Sequence, residues 1–156
     1  QKLKTAPGRF EILNFSKKKS KIIIDYAHTP DALKNILKTF SYNKFKPSLV
    51  FGCGGNRDKD KRKKMAIVAK KYANKVYITD DNPRYENPKN IRESIKKNCS
   101  KGVVIPSRKQ AICEAILKLN TNDILIIAGK GHEKFQIIKD KKIEFDDYKI
   151  AKNFIK

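Results

Sequence analysis

Val76-Tyr77-Ile78-Thr79-Asp80-Asp81-Asn82-Pro83-Arg84-Tyr85-Glu86-Asn87-Pro88 reads as a buried strand, a short loop and the opening of a helix. The apolar run from Val76 to Thr79 is the strand, and Asn87-Pro88 is a helix start. Between them, one loop holds a carboxylate (Asp81), an amide (Asn82), a rigid ring and a guanidinium. In parallel α/β sheets, ligands are gripped just there, outside the carboxyl ends of the strands. Arg84 offers a planar fork suited to a carboxylate or phosphate, and Pro83 stiffens the backbone that carries it. Taken alone, the tetrapeptide reads more readily as a turn with a solvated arginine. Its neighbours decide.

Upstream, Ala6-Pro7-Gly8 closes a linker over residues 1–8, and the domain is expected over 9–156. Arg9 to Leu13 alternates as a strand does. Ile22-Ile23-Ile24 and Leu49-Val50-Phe51 are continuous apolar runs, the mark of strands covered on both faces. The first leads into Asp25-Tyr26-Ala27-His28-Thr29-Pro30, where Thr29 can cap a helix with Pro30 at its first position. The second ends in Gly52-Cys53-Gly54-Gly55-Asn56-Arg57-Asp58, whose glycines allow sharp turns or close approach of backbone to a ligand. Downstream come a short strand at Val103 to Ile105 and a helix capped at Ser107. The last strong strand, Ile124 to Ile127, runs into Ala128-Gly129-Lys130-Gly131-His132-Glu133. Phe135 to Ile138 and Ile143 to Phe145, joined by Lys139 to Lys142, read as a closing hairpin. Asp146 or Asp147 then caps a terminal helix. Strands alternate with helices almost throughout. The expected fold is therefore α/β and Rossmann-like, a mostly parallel sheet with helices on both faces and a C-terminal hairpin. Four unusual loops, after Ile24, Phe51, Thr79 and Ile127, then share one edge.

Composition narrows the function. The 156 residues suit one domain with a core of its own. No apolar run approaches the ~20 residues of a membrane span. Three cysteines without metal-ligand spacing point to reduced thiols in a cytosol, not to a zinc site. A net charge of +21 invites a nucleic-acid reading. Against it, the lysines are scattered, and no aromatic RNA-binding motif or zinc-finger spacing accompanies them. Lysines outnumber arginines 31 to six, so an arginine more often marks a place where its geometry is needed. Three of the six, Arg9, Arg57 and Arg84, fall in the loops and openings already singled out.

Five motifs stand in order: Asp25 to Leu33, Phe51 to Asp58, Asp81 to Arg84, Gly129 to Glu133 and Phe145-Asp146-Asp147. With Gly8-Arg9-Phe10-Glu11 before them, they resemble the C-terminal domain of the Mur ligases, the amide-forming ligases of peptidoglycan synthesis. The resemblance runs from Gly8 to the final helix. It implies that Asp81, Asn82, Pro83 and Arg84 grip the incoming amino acid, with Arg57, Gly129 and Glu133 around it. In that family the Asp-Asn-Pro-Arg version goes with meso-diaminopimelate, and relatives that add L-lysine lack the arginine. The chemistry agrees: the second carboxylate of diaminopimelate can take a bidentate guanidinium, whereas the bare ammonium of L-lysine is repelled by one. Glu133 and the Gly129 carbonyl would then meet the distal ammonium. The resemblance further implies that Arg9 reaches the ATP γ-phosphate on domain closure, and that Asp25 and Tyr26 contact the nucleoside with His28 nearby. Without it, Asp25 is a strand-end turn former, His28 and His132 are hydrogen-bonded loop histidines, and Lys130 is a solvated loop lysine.

The sequence also departs from the full family pattern. It contains no Gly-x-x-x-x-Gly-Lys-Ser/Thr cradle for phosphates, no magnesium cluster and no recognisable UDP-sugar site. In the family these belong to two preceding domains, so ATP and Mg2+ would be held mainly there, and no catalytic residue is assigned to this chain. Asn56 stands where many relatives carry aspartate. The expected partners are meso-diaminopimelate directly, and ATP and UDP-MurNAc-L-Ala-D-Glu through the rest of the enzyme. A cytoplasmic, monomeric bacterial protein is expected, without membrane or nucleic-acid partners and inactive as this chain alone. The alternatives are an L-lysine-adding or folylpolyglutamate-type ligase domain, a basic nucleic-acid-binding domain, and a purely structural domain.

Overall fold

A computed structural model describes residues 10–156. Six strands form one sheet in the order β1 (Glu11–Phe15), β2 (Ser20–Asp25), β6 (Ile124–Ala128), β3 (Ser48–Phe51), β4 (Val76–Ile78) and β5 (Val103–Val104). Every neighbouring pair is parallel except β1 with β2. The helices are α1 (Pro30–Thr39), α2 (Lys59–Tyr72), α3 (Pro88–Asn98), α4 (Arg108–Leu117) and α5 (Asp147–Phe154).

Period-two alternation sends the strand side chains to two separate cores. Ile23, Leu49, Phe51, Val76, Ile78 and Ile126 pack under α1, α2 and α3. Ile22, Ile24, Val50, Tyr77, Leu125 and Ile127 pack under α4 and α5. The handedness of βαβ crossovers explains which helix lies where. The chain steps outward from β2 through β3 and β4 to β5 over one face. It must return to β6 over the other face if that crossover is also to be right-handed. That return wedges β6 between β2 and β3, creating the reversal of strand order beside which ligands bind in such sheets.

Local chemistry fixes the helix starts as expected. Thr29 Oγ1 accepts from Ala32 N at 3.2 Å with Pro30 at the first position, and Asn87 Oδ1 accepts from Lys89 N at 2.9 Å ahead of Pro88. Such caps contribute about 1 kcal/mol each. Asp146 caps α5 through Lys149 N at 3.1 Å, which leaves Asp147 for another role.

Two expectations need adjusting. The hairpin turns more tightly than the sequence indicates: β7 (Phe135–Ile138) pairs with β8 (Lys141–Glu144) across Lys139 and Asp140 alone, with Lys139 at φ +52°. The hairpin also forms a sheet of its own, set over the loop after β4. Among the described residues, no helix is long and apolar enough to cross a membrane.

Candidate amino-acid site

The loops after β2, β3, β4 and β6 converge on one cleft of about 410 Å3. Backbone contact draws the β3 and β4 loops together: Gly55 N donates to Asn82 O at 2.8 Å, and a Cβ on Gly55 would lie 1.9 Å from Pro83 O. Only glycine permits that approach. Asn56 follows at φ +52°, a conformation asparagine tolerates better than most residues. Its Oδ1 accepts from Tyr85 N at 3.0 Å, and its own N–H donates to Glu86 Oε2 at 3.2 Å. Glu86 is gripped in turn by buried Arg62 through bonds of 2.7 and 2.6 Å. Those hydrogen bonds hold the Glu86 carboxyl at about 2, well below its usual 4.5. The loop is thus braced from behind by an ion pair that does not line the cleft.

Arg84 also has positive φ, +52°. Its backbone joins the hairpin, with Arg84 N donating to Ile137 O at 3.1 Å and Lys139 N to Arg84 O at 2.8 Å. Its guanidinium lies over Gly54, donating through Nη1 to Gly55 O at 3.1 Å. The arginines divide cleanly. Arg62, Arg92 and Arg108 are each paired with a carboxylate, of Glu86, Asp80 and Asp147 respectively. Among the described residues, Arg57 and Arg84 pair with none, and both line the cleft with Lys61.

One wall of the cleft is acidic. Asp81, Asn82 and Glu133 gather around the ammonium of Lys130. Asn82 Nδ2 donates to Glu133 Oε2 at 3.2 Å. Two carboxylates share that single cation, so this wall carries a net negative formal charge in the same cleft as Arg57, Lys61 and Arg84. Cys53 also lines the cleft, and burial pushes its thiol up to about 12, away from the thiolate form.

The family model for the Mur ligase, glutamate ligase domain, matches residues 8–131. The chain belongs to the Mur ligase family. A UDP-N-acetylmuramoyl-L-alanyl-D-glutamate--2,6-diaminopimelate ligase of Anaplasma marginale is 48% identical over 149 residues, 94% of this chain and 30% of that protein. A solved structure bearing the same ligase name superposes at a TM-score of 0.87 with 38% identity, covering 99% of this chain and 32% of that one. A folylpolyglutamate synthase of Thermotoga maritima superposes at 0.57 with 24% identity, covering 80% and 28%, and so shares the fold alone. The chain spans about a third of the length of the relatives it matches.

In this Mur ligase domain, Arg57, Asp81, Asn82, Arg84, Gly129 and Glu133 all line the one cleft, together with Tyr26 and His28. Pro83 is buried and acts through its carbonyl, which sits against Gly55. The rings of His28 and His132 flank Tyr26, with centroids at 4.4 and 5.1 Å. Asp25 does the work of a turn former: its carboxylate accepts from Ala27 N at 2.8 Å and Phe10 N at 3.3 Å. Arg9 lies outside the described residues. Among those described, no group of three or more His, Cys, Asp or Glu could hold a metal, so none is matched to Mg2+. Sequence reasoning missed Lys130. Far from being solvated, it is fully buried. The signal lay in its flanks: Gly129 at φ +113° and Gly131 at φ +51° turn the chain inward around it.

Proposed function

We propose that this chain is the amino-acid-binding and closing domain of an ATP-dependent ligase that adds meso-diaminopimelate to UDP-MurNAc-L-Ala-D-Glu in the bacterial cytoplasm. The observation that carries the reading is the division of the arginines. Two guanidiniums without carboxylate partners among the described residues line the same cleft as two carboxylates sharing one ammonium. Such a cleft suits the far end of a diamino diacid, which carries one carboxylate and one ammonium. Arg84 and Arg57 would take the carboxylate, and Asp81 and Glu133 the ammonium, with Asn82 and the Gly129 carbonyl completing the shell. The relatives' shared name, a 2,6-diaminopimelate ligase, supports the same substrate.

The reaction would transfer the γ-phosphoryl group of ATP to the D-glutamate γ-carboxylate, releasing ADP. The free amine of the held amino acid then attacks the acyl phosphate, and phosphate leaves as the amide forms. The contribution of this chain is position: gripping one end of the diamino acid aims the other amine. Tyr26 and His28 lie on the β2 side of the cleft, where the nucleoside would approach, with Asp25 at the end of β2 before them, and Arg9 would meet the γ-phosphate on closure. Asp25 would act there chiefly by shaping the turn that carries Tyr26.

The test is Arg84→Met in the ligase that carries this domain. Loss of a charged, bidentate contact of about 1.5–3 kcal/mol should raise KM for meso-diaminopimelate roughly 10- to 150-fold and leave KM for ATP unchanged. An unchanged amino-acid KM would remove Arg84 from the site.

A further inference from the structure

We propose that Lys130 is a positioning residue of the amino-acid site, its buried ammonium setting the orientation of the Asn82 amide and the Glu133 carboxylate. The inference rests on the reading of the cleft given above. A lysine with no exposed surface is uncommon and needs partners for its charge. Lys130 Nζ lies 2.7 Å from Asn82 Oδ1, 2.7 Å from Phe135 O, 3.2 Å from Asp81 Oδ1 and 3.3 Å from Glu133 Oε2. Four oxygens thus surround a group with three protons, and they come from the loops after β4 and β6 and from β7.

The consequence for Asn82 is specific. Its Oδ1 accepts from the ammonium and also from Ile137 N at 3.0 Å. Turning the amide over would press its NH2 group against two donors, so Nδ2 must face Glu133 and the cleft. Glu133 is held by the same ammonium, which anchors Oε2 and leaves Oε1 available to a ligand. One cation between two carboxylates also leaves the wall one charge short of neutral, which is the charge an incoming ammonium supplies. A purely apolar residue at 130 could fill the space but could neither orient the amide nor share the carboxylates.

Two measurements on this chain test the idea. In the wild type, 15N-detected NMR should show Lys130 Nζ protons exchanging slowly, unlike those of surface lysines, with contacts to the Asn82 side chain. Exchange at surface rates would overturn the proposal, whether or not any variant folds. Calorimetry then compares Lys130→Met, Glu133→Gln and the double variant for meso-diaminopimelate. Lys130→Met should weaken binding at least tenfold. Because Lys130 acts in part through Glu133, the double variant should be weaker than Glu133→Gln by less than that factor, the remainder being the share that runs through Asn82. Unchanged binding in Lys130→Met, or multiplicative losses in the double variant, would contradict a positioning role. If the wild type itself ignores meso-diaminopimelate while its ammonium is protected, the functional reading falls, and the positioning role with it.

Discussion

Arg62 and Glu86 show how much of the site's order comes from residues that never face the cleft. Arg62 is 2% exposed and bonds both Glu86 oxygens, while Glu86 holds Asn56 N. Arg62→Met should cost about 2–3 kcal/mol in a denaturant melt, somewhat less than the 3–5 of a fully buried pair because Glu86 keeps some solvent. The pH dependence has a definite sign. Since the folded carboxyl is held at about 2 against 4.5, its contribution is complete above about pH 4.5 and is lost as pH falls toward 2. Glu86→Gln should flatten the stability curve over that window, and an unaltered curve would show that the pair does not act as described. Residue by residue, the sequence was legible where geometry leaves a mark. A scarce arginine in a lysine-rich chain pointed to Arg57 and Arg84. Their place in the loops separated them from Arg62 and Arg108, whose pairing with Glu86 and Asp147 depends on tertiary approach and left no mark in the sequence. Lys130 was obscured for a related reason: beside the nearby Glu133 and Phe135 oxygens, its burial needs Asp81 and Asn82 from a loop some 48 residues away.

At the scale of elements, the hairpin and the two glycine-bearing loops act as one clamp around Asp81 to Arg84. Gln136 Nε2 donates to Asp81 O at 2.7 Å, Ile137 N to Asn82 Oδ1, and the Tyr85 hydroxyl bonds Asp140. Gly55→Ala attacks the other jaw. Its Cβ would meet the Pro83 carbonyl, and the overpacking should cost roughly 1–3 kcal/mol. It should also shift the NMR signals of Asn82 and Arg84 while leaving the α4 and α5 signals in place. Shifts confined to residue 55 would mean the loops are less tightly joined. Strands and helices were readable because continuous apolar runs mark sheet interiors and Thr29-Pro30 and Asn87-Pro88 mark helix starts. The hairpin's place was not, since it is set by two backbone bonds to Arg84 and by side-chain bonds between residues 55 positions apart, which leave no local pattern.

For the whole molecule, one buried pair joins the end of β6 to both helices of the α4–α5 face. Arg108 reaches Asp147 through bonds of 2.8 and 2.7 Å and Ala128 O at 3.0 Å, and both side chains are fully buried. Arg108→Met alone should cost about 3–5 kcal/mol by stranding Asp147, whereas Arg108→Met with Asp147→Leu should recover most of it. Equal losses in the single and double variants would mean that packing, not charge, dominates there. The same Ala128 carbonyl ends β6, one residue before Gly129, so this brace lies directly behind the cleft. The central claim concerns the cleft itself, and the most direct measurement is an NMR titration of the labelled chain with meso-diaminopimelate and, in parallel, with L-lysine. The account predicts shifts around Arg57, Arg84 and Glu133 with meso-diaminopimelate and far weaker ones with L-lysine. An equal response to both, or shifts centred elsewhere, would contradict it.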